Sequence, residues 1–128
     1  MGVGFPATLL LNEFGSRVWD AFDHECYHVG SSLENKTGWR DVDVRLMLDD
    51  EVYEKMGFGD PQYPHHNAKW VAMCFAFTAL GKEMTGLPID FQIQQRTEAN
   101  EKFKGKRSCL GIVPWRMKDE QPAKGDDQ

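Results

Sequence analysis

The chain lacks any run of 18 or more apolar residues among its 128, which excludes an ordinary membrane-spanning helix and removes the membrane from the expected partners. It has few cysteines. Cys26, Cys74 and Cys109 are odd in number and far apart, which argues for reduced thiols and against a disulfide frame or a zinc site. The opening residues, Met1 to Pro6, show neither the basic start nor the apolar core of a signal peptide, and no Ser or Thr stands sixth in the Met-Gly start. Neither secretion nor myristoylation is therefore expected, and the expected compartment is cytoplasmic. There is no internal repeat and no linker long enough to divide the chain. A single domain over residues 1–118 is expected, followed by a polar tail over residues 119–128 that reads as disordered.

What is present is enough for one modest core. The chain is 41% hydrophobic and 12% aromatic, as an ordinary globular domain is. Its net charge of −5 is unevenly spread. Residues 102–118 hold six basic side chains (Lys102, Lys104, Lys106, Arg107, Arg116 and Lys118) and no acid, whereas residues 1–101 hold sixteen acids against eight bases. An acidic body with a basic late segment suits a metal-dependent site served by a phosphate-binding strip. It equally suits a solvated lysine-rich loop.

Periodicity orders the elements. Residues 7–24 carry Leu10, Leu11, Phe14, Val18, Ala21 and Phe22 at helical spacing, with a break at Gly15 as the alternative. Residues 26–29 read as a short strand ended by Gly30, with Ser31 and Ser32 suited to cap a short helix or turn. A long strand covers residues 41–48. Asp49, Asp50 and Glu51 then start a short helix to about Met56, and a Gly/Pro-rich loop runs to Pro64. Asn67 caps the most apolar helix, whose expected core stripe is Trp70, Met73, Cys74, Phe77, Leu80 and Met84, extended by Val71 and Phe75. Gly86 ends it. A strand over 89–94 places Ile89, Phe91 and Ile93 on one face and Asp90, Gln92 and Gln94 on the other. Thr97 is the expected cap of a helix over 98–103, and 109–115 the expected last strand.

Chemistry concentrates on the long strand. Side chains alternate faces, so Asp41 and Asp43 point the same way, roughly 6.5–7 Å apart along the strand, while Val42, Val44, Leu46 and Leu48 face the other side. Two like charges on an otherwise apolar strand repel, and a cation between them relieves the cost. Asp90 becomes a third ligand if its strand neighbours the first. Three convergent carboxylates suit Mg2+ or Mn2+, which keep water and phosphate oxygens as their other ligands. The turn Gly30-Ser31 ahead of the strand suits a polyphosphate, because glycine admits close backbone approach and the hydroxyl can donate.

This set resembles the polymerase-beta-like nucleotidyltransferases: a Gly-Ser turn after a strand, nine intervening residues, Asp41-Val42-Asp43 on the next strand, and a third acid, Asp90, on a later one. It is most similar to the minimal single-domain members, including those carried by bacteriophages. The resemblance implies an α+β fold, a small mixed sheet with helices packed against it. It also implies transfer of a nucleoside monophosphate from an NTP to an acceptor hydroxyl, with release of pyrophosphate. In its terms Gly30, Ser31 and Ser32 hold the triphosphate, Asp41 and Asp43 bind metal, and Asp90 binds the catalytic metal and helps activate the acceptor. Arg40 and Arg45 are further nucleotide-binding candidates, although Arg45 shares the face of the two aspartates and equally serves to neutralise them. Arg40 departs from the family pattern, in which a small residue commonly precedes the first aspartate. The dipeptide Gly15-Ser16 matches the turn in isolation, but it lies in a helical pattern and no Asp-x-Asp follows it.

Plainer roles stand beside these: solvent-facing acids on an edge strand, Asp90 capping a turn, Gly30-Ser31 as a turn alone. His65-His66, Lys69 and Lys82 read as loop and surface residues. Trp39, Tyr63 and Trp115 read as packing residues, with base stacking as the alternative. No acceptor-binding domain is evident, so the acceptor is unassigned. The alternative function is a catalytically silent nucleotide-binding module acting through a partner protein or a second copy, and a third reading makes residues 102–118 a nucleic-acid strip.

Overall fold

Alternation along two strands and helical spacing along two long helices build the fold, which a computed structural model describes for residues 2–112. Trp115, Arg116, Lys118 and the tail 119–128, with the end of the expected last strand, lie outside the described residues. In chain order the elements are α1 (Ala7–Phe22), β1 (Cys26–Val29), α2 (Ser31–Glu34), β2 (Val42–Leu48), α3 (Asp50–Lys55), a 3-10 turn (Pro64–His66), α4 (Ala68–Thr85), β3 (Ile89–Gln95), α5 (Arg96–Lys102) and β4 (Arg107–Cys109). The four strands form one mixed sheet in the order β3-β2-β1-β4. β1 runs antiparallel to both β2 and β4, while β2 and β3 run parallel. This is the expected α+β class.

The apolar half of each alternating strand makes the core. Val42, Val44, Leu46 and Leu48 are fully buried, and Ile89, Phe91 and Ile93 continue the surface on β3. α1 packs there through Leu11, Phe14 and Val18, and α4 through Trp70 and Cys74. Phe91 meets the rings of Phe14 and Phe77 at centroid distances of 6.1 and 5.3 Å. Each such side chain contributes roughly 1.5–3 kcal/mol by leaving water.

α1 is unbroken, because Gly15 is a packing glycine: a Cβ there would lie 2.3 Å from Leu110 Cβ. α4 is capped as expected, with Asn67 Oδ1 accepting from the Trp70 amide at 2.8 Å and Gly86 left-handed at its end. Of its expected stripe, Trp70 and Cys74 are in the core and Val71, Met73, Phe77 and Met84 pack against it, partly buried. Leu80 and Phe75 are 39% and 72% exposed, while Gly81 is buried, where a Cβ would lie 3.0 Å from both Phe14 and Ile89. α4 also closes the outer edge of β3. Trp70 Nε1 donates to the Ile93 carbonyl at 2.8 Å, and Thr78 Oγ1 accepts from the Phe91 amide at 3.0 Å. An edge strand is thereby denied to strand addition.

Boundaries differ from expectation by a residue or two at several ends, and three of them have a bearing on the site or the sheet. Asp41 precedes β2, which starts at Val42. α5 starts at Arg96, because Thr97 is drawn into hydrogen bonds with the Asp50 carboxylate at 2.5 and 3.1 Å and does not cap. β4 lies at Arg107–Cys109, two residues ahead of the expected start, paired with β1.

Candidate metal centre

The sheet face away from α1 and α4 carries the polar half of the same alternation. Parallel pairing sets Asp43 beside Asp90 and Arg45 beside Gln92, while antiparallel pairing sets Val29 beside Asp43. Asp41, just before the strand, completes the group. One carboxylate oxygen from each of Asp41, Asp43 and Asp90 lies within 4.8 Å of the others. Asp41 is exposed and the other two are half-buried. Three hard oxygen donors with open coordination space fit a divalent cation that keeps part of its water shell. The cluster could hold a metal ion.

Electrostatics agree with that chemistry. Burial pushes the Asp43 carboxyl above its ordinary range, the nearby Arg45 opposes the rise, and the charges of Asp90 and Asp41 add to it. A bound cation would offset that repulsion. Without one, the compensating charge is Arg45. Its Nη2 stands 3.5 Å from Asp90 Oδ2 and 3.8 Å from Asp43 Oδ1. Its Nη1 donates to the carbonyls of Asp90 at 2.7 Å and Val44 at 3.1 Å. The guanidinium is thus anchored to backbone and shared between two acids, and its single charge offsets part of theirs.

The Gly30 turn meets the acids directly. Gly30 has φ 83° and ψ −164°, a region only glycine occupies readily, and a Cβ there would lie 2.5 Å from Asp43 Oδ2. Ser31 is exposed at the start of α2. Ser32 is fully buried, and its hydroxyl pairs with His28 Nε2 at 2.7 Å. Neither serine side chain caps the helix. Arg40 is exposed, one residue before Asp41.

A cavity of about 280 Å³ opens on the Gly30 side, lined by Gly30, Asp43, Arg45, Gln92, Lys102 and Phe103. Phe103 and His28 join the site without having been singled out from the sequence, and Lys102 lines it from the basic segment 102–118. For His28 a signal existed: in the alternation of β1 it falls on the face of Cys26, towards the core. It is 1% exposed, and burial lowers its pKa to about 4, so it is a neutral imidazole.

Other candidates sit elsewhere or are engaged. Gly15-Ser16 is buried in α1, away from the acids. Lys102 pairs with Glu98 at 3.1 Å, Lys104 donates to the Asn100 carbonyl, and Arg107 binds Asn100 and the carbonyls of Ala99 and Phe103. Lys69 donates to the Met56 carbonyl, and Tyr63 stacks on His66. Trp39 packs partly buried against the core. No described helix is long and apolar enough to cross a membrane. No family model matches the chain, and neither does any curated protein or solved structure.

Proposed function

We propose that the chain is a Mg2+- or Mn2+-dependent nucleotidyltransferase that moves a nucleoside monophosphate from an NTP to an acceptor hydroxyl. The observation that carries this is the convergence of Asp41, Asp43 and Asp90 within 4.8 Å, with Gly30 packed against Asp43. A divalent ion held by the three aspartates would polarise phosphate oxygens and offset their charge. The Gly30 backbone and the exposed Ser31 hydroxyl would receive the triphosphate, and Arg45 and Arg40 would meet its negative charge. Ser32, through His28, would hold the turn in place. Asp90 would take the proton of the acceptor hydroxyl. The acceptor oxygen then bonds to the α-phosphorus, the bond from that phosphorus to the bridging oxygen breaks, and pyrophosphate leaves.

A test is incubation of the full chain with α-labelled NTPs, Mg2+ and a cell lysate as acceptor pool. Label should move to a lysate component, and Asp43→Asn should abolish the transfer. Transfer that survives Asp43→Asn would refute the reading, as would the absence of both transfer and Mg2+-dependent NTP binding.

The Arg45 bridge favours a second reading, a nucleotide-binding module without turnover, because a guanidinium already pairs with two of the three acids and offsets part of their charge. Calorimetry separates the two: NTP binding with no transfer to any acceptor supports the silent module.

A further inference from the structure

The acids stand between two cavities of opposite character. The cavity on the Gly30 side carries Arg45 and Lys102, cations suited to phosphate. A second cavity, of about 340 Å³, lies on the other side of Asp90, between Val71, Cys74, Phe75 and Thr78 of α4 and Asp90 and Gln92 of β3. Gln92 lines both, whereas Asp43 lines the first and Asp90 the second, so the two acids face different spaces on either side of Gln92. Among the described residues lining the second cavity there is neither lysine nor arginine, Asp90 is the one carboxylate and His65 the one imidazole. Phe75 forms its lip with 72% of its surface in water, a cost a folded chain does not need to carry. The Thr78 hydroxyl is committed to the Phe91 backbone, so this wall offers a methyl group to the cavity's occupant.

We infer that the cavity beside Asp90 binds the acceptor, and that the acceptor is a small uncharged molecule with a flat apolar body and a hydroxyl directed at Asp90. The walls match an aromatic body, and the volume falls at the lower end of ordinary small-molecule sites. The lone carboxylate disfavours an anion. Charge thus sorts the two substrates: the polyanion enters where Arg45 and Lys102 stand, the neutral hydroxyl where Asp90 stands without lysine or arginine. The same sorting disfavours a nucleic-acid acceptor. The acceptor role rests on the nucleotidyltransferase reading, whereas the binding preference does not.

The test uses the full chain labelled at its methyl groups and two probes of one shape, 2-naphthol and 2-naphthoate. The methyl signals of Val71 and Thr78 should respond to 2-naphthol, with 2-naphthoate weaker by about tenfold, the size of one unfavourable charge contact near a surface. Asp90→Asn should bring the two probes to within about threefold. Phe75→Asp, at an exposed position that tolerates the change, should abolish the 2-naphthol response. In parallel, Mg2+ and α,β-methylene-ATP should bind without displacing 2-naphthol, and Asp43→Asn should remove the nucleotide while leaving 2-naphthol bound.

A silent Val71 and Thr78, equal affinity for both probes in the native chain, or displacement of 2-naphthol by the nucleotide would each overturn the cavity assignment. Failure of the nucleotide to bind, with 2-naphthol still bound, would overturn the nucleotidyltransferase reading and the acceptor role with it, leaving an aromatic-binding cavity.

Discussion

β2 and β3 present two faces that alternate residue by residue from Val42 to Leu46 and from Ile89 to Ile93. Towards the helices, Val42, Val44, Leu46, Ile89, Phe91 and Ile93 are buried to 3% exposure or less. Towards the open side, Asp43, Arg45, Asp90 and Gln92 are half-buried, with like charges at adjacent register positions. The first face is a packing problem that the sequence has solved. The second is an electrostatic problem left unsolved, with Arg45 as partial relief. Stability belongs to one face and binding to the other. A strand gives both because its side chains alternate.

The sharpest way to expose that division is to damage the packed face. Phe91→Ala should cost about 3–5 kcal/mol, since the ring leaves a cavity beside Phe14 and Phe77 that their packing cannot fill. Urea unfolding would read it. A loss under about 1 kcal/mol would mean the two faces are not energetically distinct.

His28 offers the next test, because it carries a titratable group on the packed side. Its folded pKa is about 4 against an ordinary 6.5, so between these values the unfolded chain binds a proton that the folded chain refuses. Stability should therefore fall as pH drops from about 7 to about 4, by about 3 kcal/mol from this group, and depend on it little further below that. His28→Asn should flatten that slope in thermal melts taken across the range. An unchanged slope would place the titration elsewhere.

A smaller effect is expected where the faces meet the turn. Gly30→Ala should cost about 1–3 kcal/mol for its backbone region alone. It should also weaken Mn2+ binding, because the new Cβ displaces the Asp43 carboxylate. Loss of stability without loss of metal would show that the turn and the acids are independent.

The smallest stability change should come from the open face itself. Asp43→Asn removes one repelling charge and one ion pair together, so its unfolding free energy should move by less than about 1 kcal/mol. Mn2+ binding, followed by electron paramagnetic resonance, should nevertheless be lost. A large destabilisation would make Asp43 a structural residue.

Much of this contrast was legible in the chain as written. Alternation in 42–48 and 89–94 separated Val42 and Phe91 from Asp43 and Asp90, and Asn67 and Gly86 marked the ends of α4, because those signals are local. The turn of α4 was legible only in part. Helical spacing put Trp70, Met73, Cys74, Phe77 and Met84 against the core, but Gly81, packed against Phe14 and Ile89, takes the place expected for Leu80. Ser32 likewise reads as a phosphate ligand until His28 takes its hydroxyl, a pairing across the turn that no spacing announces.

Sequence alone determined the strand content, the two faces, three carboxylates of the right type and a glycine where the chain must turn hard. Tertiary structure decided that they meet. Asp43 and Asp90 stand 47 residues apart, and their contact depends on β3 joining β2 in parallel, in the one register that pairs these positions. That register follows from burying Ile89, Phe91 and Ile93 under both long helices at once. A slip by one residue would turn those side chains to water and carry Asp90 to the wrong face. The same packing placed the Arg45 guanidinium between two acids and opened the cavity beside Asp90. These are sums over many non-local contacts, and no short stretch of the chain contains them.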